Sequence, residues 1–389
     1  VNLRTAAALA SLAILMAGTT APSAMFVIYR DVWGLSPRDL GIVFAAYVCT
    51  LLPVLLLFGG LADRIGRRAA IGLGLGLALV GLVTLASASG FGGLVVARLL
   101  QGAGVGIASG AIIAAVTETH HGRLAPGSMT MIGSASGIFT GPLVAAIAYD
   151  LGAGVHAAYA PLIVLIVACA AALPLLAPRV RAASGEGVEE RYPGTVVSRA
   201  LAFSLAVTFV GWAGVSLYLS MVPAFLAATL HAHDPLVGAL VISALQVSGI
   251  VAALSLRTIV PEREGIIAPV VVVLGLIALV AGTALQGAIG WALIALSTVL
   301  VGAAGGIAFA TGVVIATRVC RGQRASVFAR LYVAAYLAFS LPALAVGTIA
   351  SHWSLAAGFA AVIAVLVAIV AALPALRTRA ALASITALG

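Results

Sequence analysis

Residues 59–68 read Gly59-Gly60-Leu61-Ala62-Asp63-Arg64-Ile65-Gly66-Arg67-Arg68. This polar break separates two apolar runs, 40–61 and 69–89, each matching the roughly 20 residues that a spanning helix needs. Gly59 and Gly66 permit a tight turn and a close approach of the flanking helices. Asp63 can face the positive N-terminal end of a neighbouring helix, an interaction of about 0.3–2 kcal/mol. Arg64, Arg67 and Arg68 can anchor among anionic headgroups. An anchor alone would account for the arginines and leave the aspartate and the glycines without a purpose.

Composition extends the membrane reading to the whole chain. Of 389 residues, 63% are hydrophobic and only 8% charged, with mean hydropathy +1.23, whereas soluble domains run near 45–50% apolar and about 25% charged. That excludes a soluble enzyme, a disordered protein and a nucleic-acid-binding module. The formal charge of +9 comes from basic residues that are all arginine and are scattered between apolar runs, so no clustered basic face is offered to a nucleic acid. The 44 glycines suit helices packed closely in a bilayer. Cys49, Cys169 and Cys320 lie far apart, which makes neither a disulfide framework nor a metal spacing. Arg4, the apolar run after it and Ala21-Pro22-Ser23-Ala24 imitate a cleaved secretory signal. We read them as an uncleaved first helix.

Apolar runs fall at 6–29, 40–61, 69–89, 92–117, 127–149 and 157–178, then at 200–226, 236–256, 265–286, 290–317, 327–350 and 355–376. The expected fold class is therefore all-α and polytopic, with twelve transmembrane helices in two pseudo-symmetric six-helix bundles. Residues 1–178 form the N-terminal bundle, 179–199 a polar cytoplasmic linker and 200–389 the C-terminal bundle. With the N-terminus inside, sixteen arginines fall in cytoplasmic segments and only Arg30 and Arg38 in outer ones, while Arg98 and Arg330 lie within helices. This positive-inside bias places both termini in the cytoplasm of a multi-pass inner-membrane protein. Residues 102–117 and 302–317 align at an offset of 200, sharing Gly102/Gly302, Gly106/Gly306 and Thr117/Thr317, and Pro142 falls on Pro342 at the same offset. Same-orientation repeats of six helices are a transporter architecture with its substrate site between the halves near the midplane.

At this point the 59–68 break acquires a resemblance. It is similar to the G-x-L-a-D-R-x-G-R-[RK] signature of the major facilitator superfamily, at the loop where that family carries it, and the 6+6 layout extends the likeness over the chain. The motifs resemble most closely the twelve-helix drug:proton antiporter group. The resemblance implies alternating access, with Gly59, Asp63, Arg64, Gly66, Arg67 and Arg68 latching the cytoplasmic side against the eleventh helix. It also implies that helices 1, 4, 7 and 10 line the cavity, with 2, 5, 8 and 11 beside them. The run Arg98-Leu99-Leu100-Gln101-Gly102 is similar to the family's second motif, R-x-x-q-G, whose arginine is tied to proton coupling or anion binding. Gly133, Gly137 and Gly141-Pro142 resemble the antiporter motif G-x-x-x-G-P-x-x-G-G, departing from it where Ala145-Ala146 replace the last glycines.

The residues themselves point the same way. Arginine at a helix centre costs about 2.5–3.5 kcal/mol on insertion scales, and Gln101, one turn from Arg98, can share a polar cavity with it. The alternative is a side chain snorkelling to the headgroups. Gly102 with Gly106, and Gly133 with Gly137 and Gly141, repeat at four-residue spacing and form close-packing faces. Further lining candidates are Thr19, Thr20 and Ser23 in the first helix, Tyr47 in the second, Thr208, Trp212 and Ser216 in the seventh and Gln246 in the eighth. Ser297 and Thr298 in the tenth helix and Tyr332 and Tyr336 in the eleventh complete the set. For any single hydroxyl, a bond to the preceding turn is the competing explanation. Glu118 and Arg330, near the same membrane face as Asp63, would make a breakable inner gate with it.

No carboxylate sits at mid-membrane, so proton coupling has three open forms: Asp31 as a shallow protonation site, a substrate that carries the proton, or no coupling. The leading expectation is a secondary active transporter exporting small amphipathic molecules, by proton antiport if coupled. The alternative is an importer or facilitator of a small organic anion bound by Arg98. A membrane enzyme would need convergent His, Glu or Cys at one depth, which the sequence does not offer; the Gly72-x-Gly74-x-Gly76 run lies inside a spanning segment and makes no nucleotide site. The expected partners are a small-molecule substrate, protons if transport is coupled, and the lipid bilayer, with the chain a monomer and no cofactor, metal or nucleic acid.

Overall fold

Apolar sequence in a bilayer must satisfy its backbone internally, so helices follow directly from the composition. A computed structural model describes residues 3–58, 61–119, 126–175, 194–255, 261–285, 287–319 and 324–376, and among them there is no strand. The helices are α1 (Leu3–Trp33), α2 (Pro37–Phe58), α3 (Leu61–Ile65), α4 (Arg67–Ala86), α5 (Phe91–Thr119), α6 (Pro126–Ala148), α7 (Gly154–Ala157) and α8 (Ala160–Ala171). Then follow α9 (Gly194–Ser220), α10 (Val222–Leu230), α11 (Pro235–Ser255), α12 (Pro261–Leu285), α13 (Gly287–Val319), α14 (Arg324–His352) and α15 (Leu355–Leu376). Eleven helices among the described residues are long and apolar enough to span a membrane, and α8 is a shorter apolar helix of the expected sixth segment. The all-helical, polytopic fold class anticipated from the sequence is the one found.

Local differences have local causes. The sixth segment begins after a π-turn at Tyr149–Ala153 whose Gly152 has φ 91°, followed by Gly154 at φ 68°. Only glycine adopts that backbone cheaply, so the chain leaves α6 by a kink rather than a plain loop. The seventh segment divides at Met221, and Pro223 in the first turn of α10 suits a helix start because its missing N–H has no acceptor there.

The chain forms two compact units, Val1–Ala183 with Leu219–Gln246, and Ser184–Tyr218 with Val247–Gly389. In the first, α1 is buried from Ala17 to Tyr29. Helix α6 lies along it through glycines: a methyl on Gly137 or Gly141 would run into the carbonyl of Ala13 or Ala17, and one on Gly133 would meet Leu9. Pro142 is buried on the same helix. Gly102 brings α5 just as close to the Tyr47 carbonyl of α2, and a methyl on Gly106 would meet Val54 and the Leu51 carbonyl. In the second unit, Gly306 of α13 meets Gly249 of α11, which in turn faces Gly302. The glycine pairs related by the 200-residue offset thus do the same job in each unit, letting one backbone touch another where dispersion is the main attraction.

Candidate functional site

One proline leaves a backbone carbonyl to be satisfied at the centre of the first unit. Pro22 lies inside α1 and has no N–H to give the carbonyl four residues back, which is that of Gly18. Gln101 of α5 supplies the missing donor, its Nε2 standing 2.9 Å from the Gly18 oxygen. Its Oε1 accepts from Arg98 Nη1 at 2.9 Å, and the same Nη1 donates to the Thr19 carbonyl at 2.5 Å. The guanidinium carbon lies 4.8 Å from the centre of the Tyr47 ring, a cation–π contact. Arg98 is 2% exposed, so it does not snorkel, and its Nε has no hydrogen-bond partner. Among the described residues no carboxylate is paired with it.

Three tyrosines, Tyr47, Tyr29 and Tyr159, lie within Coulombic reach of Arg98. The Tyr29 and Tyr159 hydroxyls bond each other, the Tyr29 ring stacks on Trp33 at 4.8 Å and 3°, and the Thr19 side chain stands near Tyr47. Sequence reasoning assigned Tyr47 and missed Tyr29 and Tyr159 as parts of this cluster. The available signal was general: a tyrosine buried in apolar surroundings needs a partner for its hydroxyl. Thr19 and Thr20 both return their hydroxyls to the Met16 carbonyl at 2.9 Å, and Ser23 is buried. Gln246 is half-buried on α11. Asp31 sits away from Arg98, at the end of α1, where His233 Nδ1 lies 2.7 Å from its Oδ2.

The second unit places its candidates on α9, α13 and α14. Trp212 meets Phe309 and Phe339 edge-on, with ring centres at 5.3 and 5.7 Å. Ser216 donates to the Phe339 carbonyl at 2.5 Å. Tyr218, not anticipated from the sequence, meets Ser297 Oγ at 2.5 Å, and Ser297 donates onward to the Gly275 carbonyl at 2.6 Å. Thr298 bonds the Ile294 carbonyl of its own helix. Thr208 is buried beside Gly312 with its hydroxyl unpartnered. Tyr332 and Tyr336 stack at 6.3 Å, with Tyr332 partly exposed.

Of the 59–68 break, Gly59 and the Asp63 side chain lie outside the described residues. Gly66 has φ 90°, the left-handed backbone a glycine turn allows. Glu118, at the end of α5, pairs with Arg67 at the start of α4, a partner the sequence reading did not assign. Arg64, Arg68 and Arg330 are exposed.

The profile of the Major Facilitator Superfamily matches residues 7–285. The chain belongs to that superfamily. No curated protein matches it. Among solved structures, a POT family transporter in complex with 5-aminolevulinic acid superposes with TM-score 0.78 at 11% identity, covering 96% of each chain. The peptide transporter POT in complex with alafosfalin, as a point mutant, gives 0.74 at 14% identity over 96% of this chain and 94% of that one. A mutant of the nucleoside transporter NupG gives 0.73 at 15% identity over 97% and 100%. At such identities the likeness is one of fold. This is a multi-pass membrane protein with a secondary transporter's fold.

Proposed function

We propose that the protein is a secondary active transporter moving small amphipathic molecules by alternating access, outward across the cytoplasmic membrane, with both termini cytoplasmic and no enzymatic step. The observation that carries this reading is the Arg98 cluster. A guanidinium buried in a spanning helix, held by Gln101 and a carbonyl of α1 and left with its Nε unpartnered, is costly unless it serves a purpose. Tyr47, Tyr29 and Tyr159 beside it give an aromatic wall suited to the apolar part of such a molecule. The arginine bias supports the orientation, and the Gly137/Gly141-Pro142 motif supports export in exchange for protons.

A second reading, import or facilitated passage of a small organic anion, is favoured by one observation: no carboxylate among the described residues pairs with Arg98. A lone cation suits an anionic or neutral substrate better than a cationic drug. Reconstituted vesicles loaded with candidate anionic and neutral amphiphiles, with and without an imposed pH gradient, separate the readings by the direction of flux. Arg98→Ala is expected to lower flux at least tenfold while eluting as a folded monomer. Wild-type flux in that variant would remove the cluster from the mechanism.

A further inference from the structure

The end of α1 is tied to the segment after α9 by two polar contacts, both inside the first unit. Arg30 Nη1 donates to the Ala224 carbonyl at 3.3 Å. One residue on, Asp31 Oδ2 meets His233 Nδ1 at 2.7 Å. Both partners of the second contact are open to solvent, with side chains 38% and 54% exposed. The backbone holds His233 in place: His231 takes the left-handed conformation that ends α10, and the Asp234 carboxylate accepts from the Leu236 N–H at 2.7 Å to start α11. The imidazole is therefore presented by a fixed turn and not by a loose loop.

We propose that Asp31 and His233 form a proton-set latch that fastens the Trp33 end of α1 to the α10–α11 turn, tight in acid and loose in mild alkali. An imidazole is the side chain whose charge changes between pH 5 and 8. When it is protonated, the contact is a charge-assisted ion pair; when it is neutral, only an ordinary hydrogen bond is left, roughly half as strong. The charges around the pair are mixed. Arg30 stands beside Asp31 on α1, Asp234 follows His233 in the turn, and Asp150, in the turn after α6, is in Coulombic reach of Asp234. His231 is exposed on the same turn, and His156 of α7 is engaged with the Ala86 carbonyl at 2.8 Å. The latch rests on the transport reading only for its purpose, since an end that fastens with protons would couple the external pH to the opening of a carrier.

The test reads the latch without reading transport. In a background with Cys49, Cys169 and Cys320 replaced by serine, spin labels at Val32→Cys and Ala228→Cys, both exposed positions, report proximity by dipolar broadening in nanodiscs. An exposed ion pair changes such an equilibrium by about two- to fivefold, so the ratio of close to distant populations should fall by that factor between pH 5.5 and pH 8. His233→Gln should hold the ratio at its alkaline value at both pH values, and His233→Arg at its acid value. A pH response that survives in His233→Gln, or an Asp31→Asn variant that behaves as wild type, overturns the latch. Flux that fails for every compound tried while the broadening follows pH overturns only the transport reading.

Discussion

Gln101→Leu should be among the most damaging single changes in the first unit, because Gln101 answers two needs at once. It gives the Gly18 carbonyl the donor that Pro22 withholds, and it accepts from Arg98. An orphaned buried carbonyl costs about 1–3 kcal/mol, and a lost hydrogen bond to a charged group about 1.5–3 kcal/mol. The single variant should therefore lose about 2.5–6 kcal/mol. Adding Arg98→Met removes the uncompensated charge, since replacing both members of a buried polar pair by apolar groups is far milder than removing one. The double variant should retain the Gly18 penalty and recover the remainder, a coupling of about 1.5–3 kcal/mol between sites that share a partner. Reversible unfolding in mixed detergent micelles measures all four corners of the cycle. Strictly additive losses would refute the claim that Gln101 holds Arg98, and with it the account of why this helix keeps a glutamine. The double variant, if stable, should still fail to transport, which separates the structural part of the cluster from its proposed role.

Gly137→Val should destabilise by at least 1–3 kcal/mol, roughly the range for overpacking, because the new side chain meets the Ala13 carbonyl and neither backbone can retreat; thermal unfolding in detergent measures it. Gly110→Ala, where a methyl meets nothing, should be neutral or slightly stabilising by the same assay. Glu118→Gln should cost about 1 kcal/mol or somewhat more, since the pair with Arg67 is only partly exposed, and the swapped pair Arg67→Glu with Glu118→Arg should recover most of it. Trp212→Ala should lose about 3–5 kcal/mol through its two edge-on ring contacts, and a loss below 1 kcal/mol would show that the second unit does not depend on that aromatic group.

The sequence was most informative where a residue type is expensive in a bilayer. Arg98 was legible because arginine inside a spanning helix needs a reason, and the glycine faces were legible because four-residue spacing has one geometrical meaning. The partners of those residues were much less so. Nothing in the local pattern says that Pro22 frees the Gly18 carbonyl for a glutamine 83 positions away, since a proline in a membrane helix has several ways of being accommodated. Tyr159 and Tyr218 sit at helix ends, where an isolated aromatic residue reads equally well as an interfacial anchor. His233 was invisible as a partner of Asp31 because an ion pair across 202 residues leaves no periodic trace. The breaks at Tyr149–Ala153 and Met221 were hidden because apolar composition runs on through both kinks.

The deep enclosure of α1 bears on how the chain is made. Synthesis delivers α1 before α5 and α6: Arg98 follows its α1 partner by 79 residues, and the three glycines of α6 come later still. In the interval a helix destined to touch protein on nearly every side must wait among lipid or in the insertion machinery. Ser11, Thr19 and Thr20 can tolerate the delay, because each hydroxyl already bonds a carbonyl of its own helix. The Gly18 carbonyl cannot do so. That single exposed acceptor would favour a tilted or half-inserted nascent helix that straightens only when Gln101 is translated, making the order of assembly part of what residue 22 encodes.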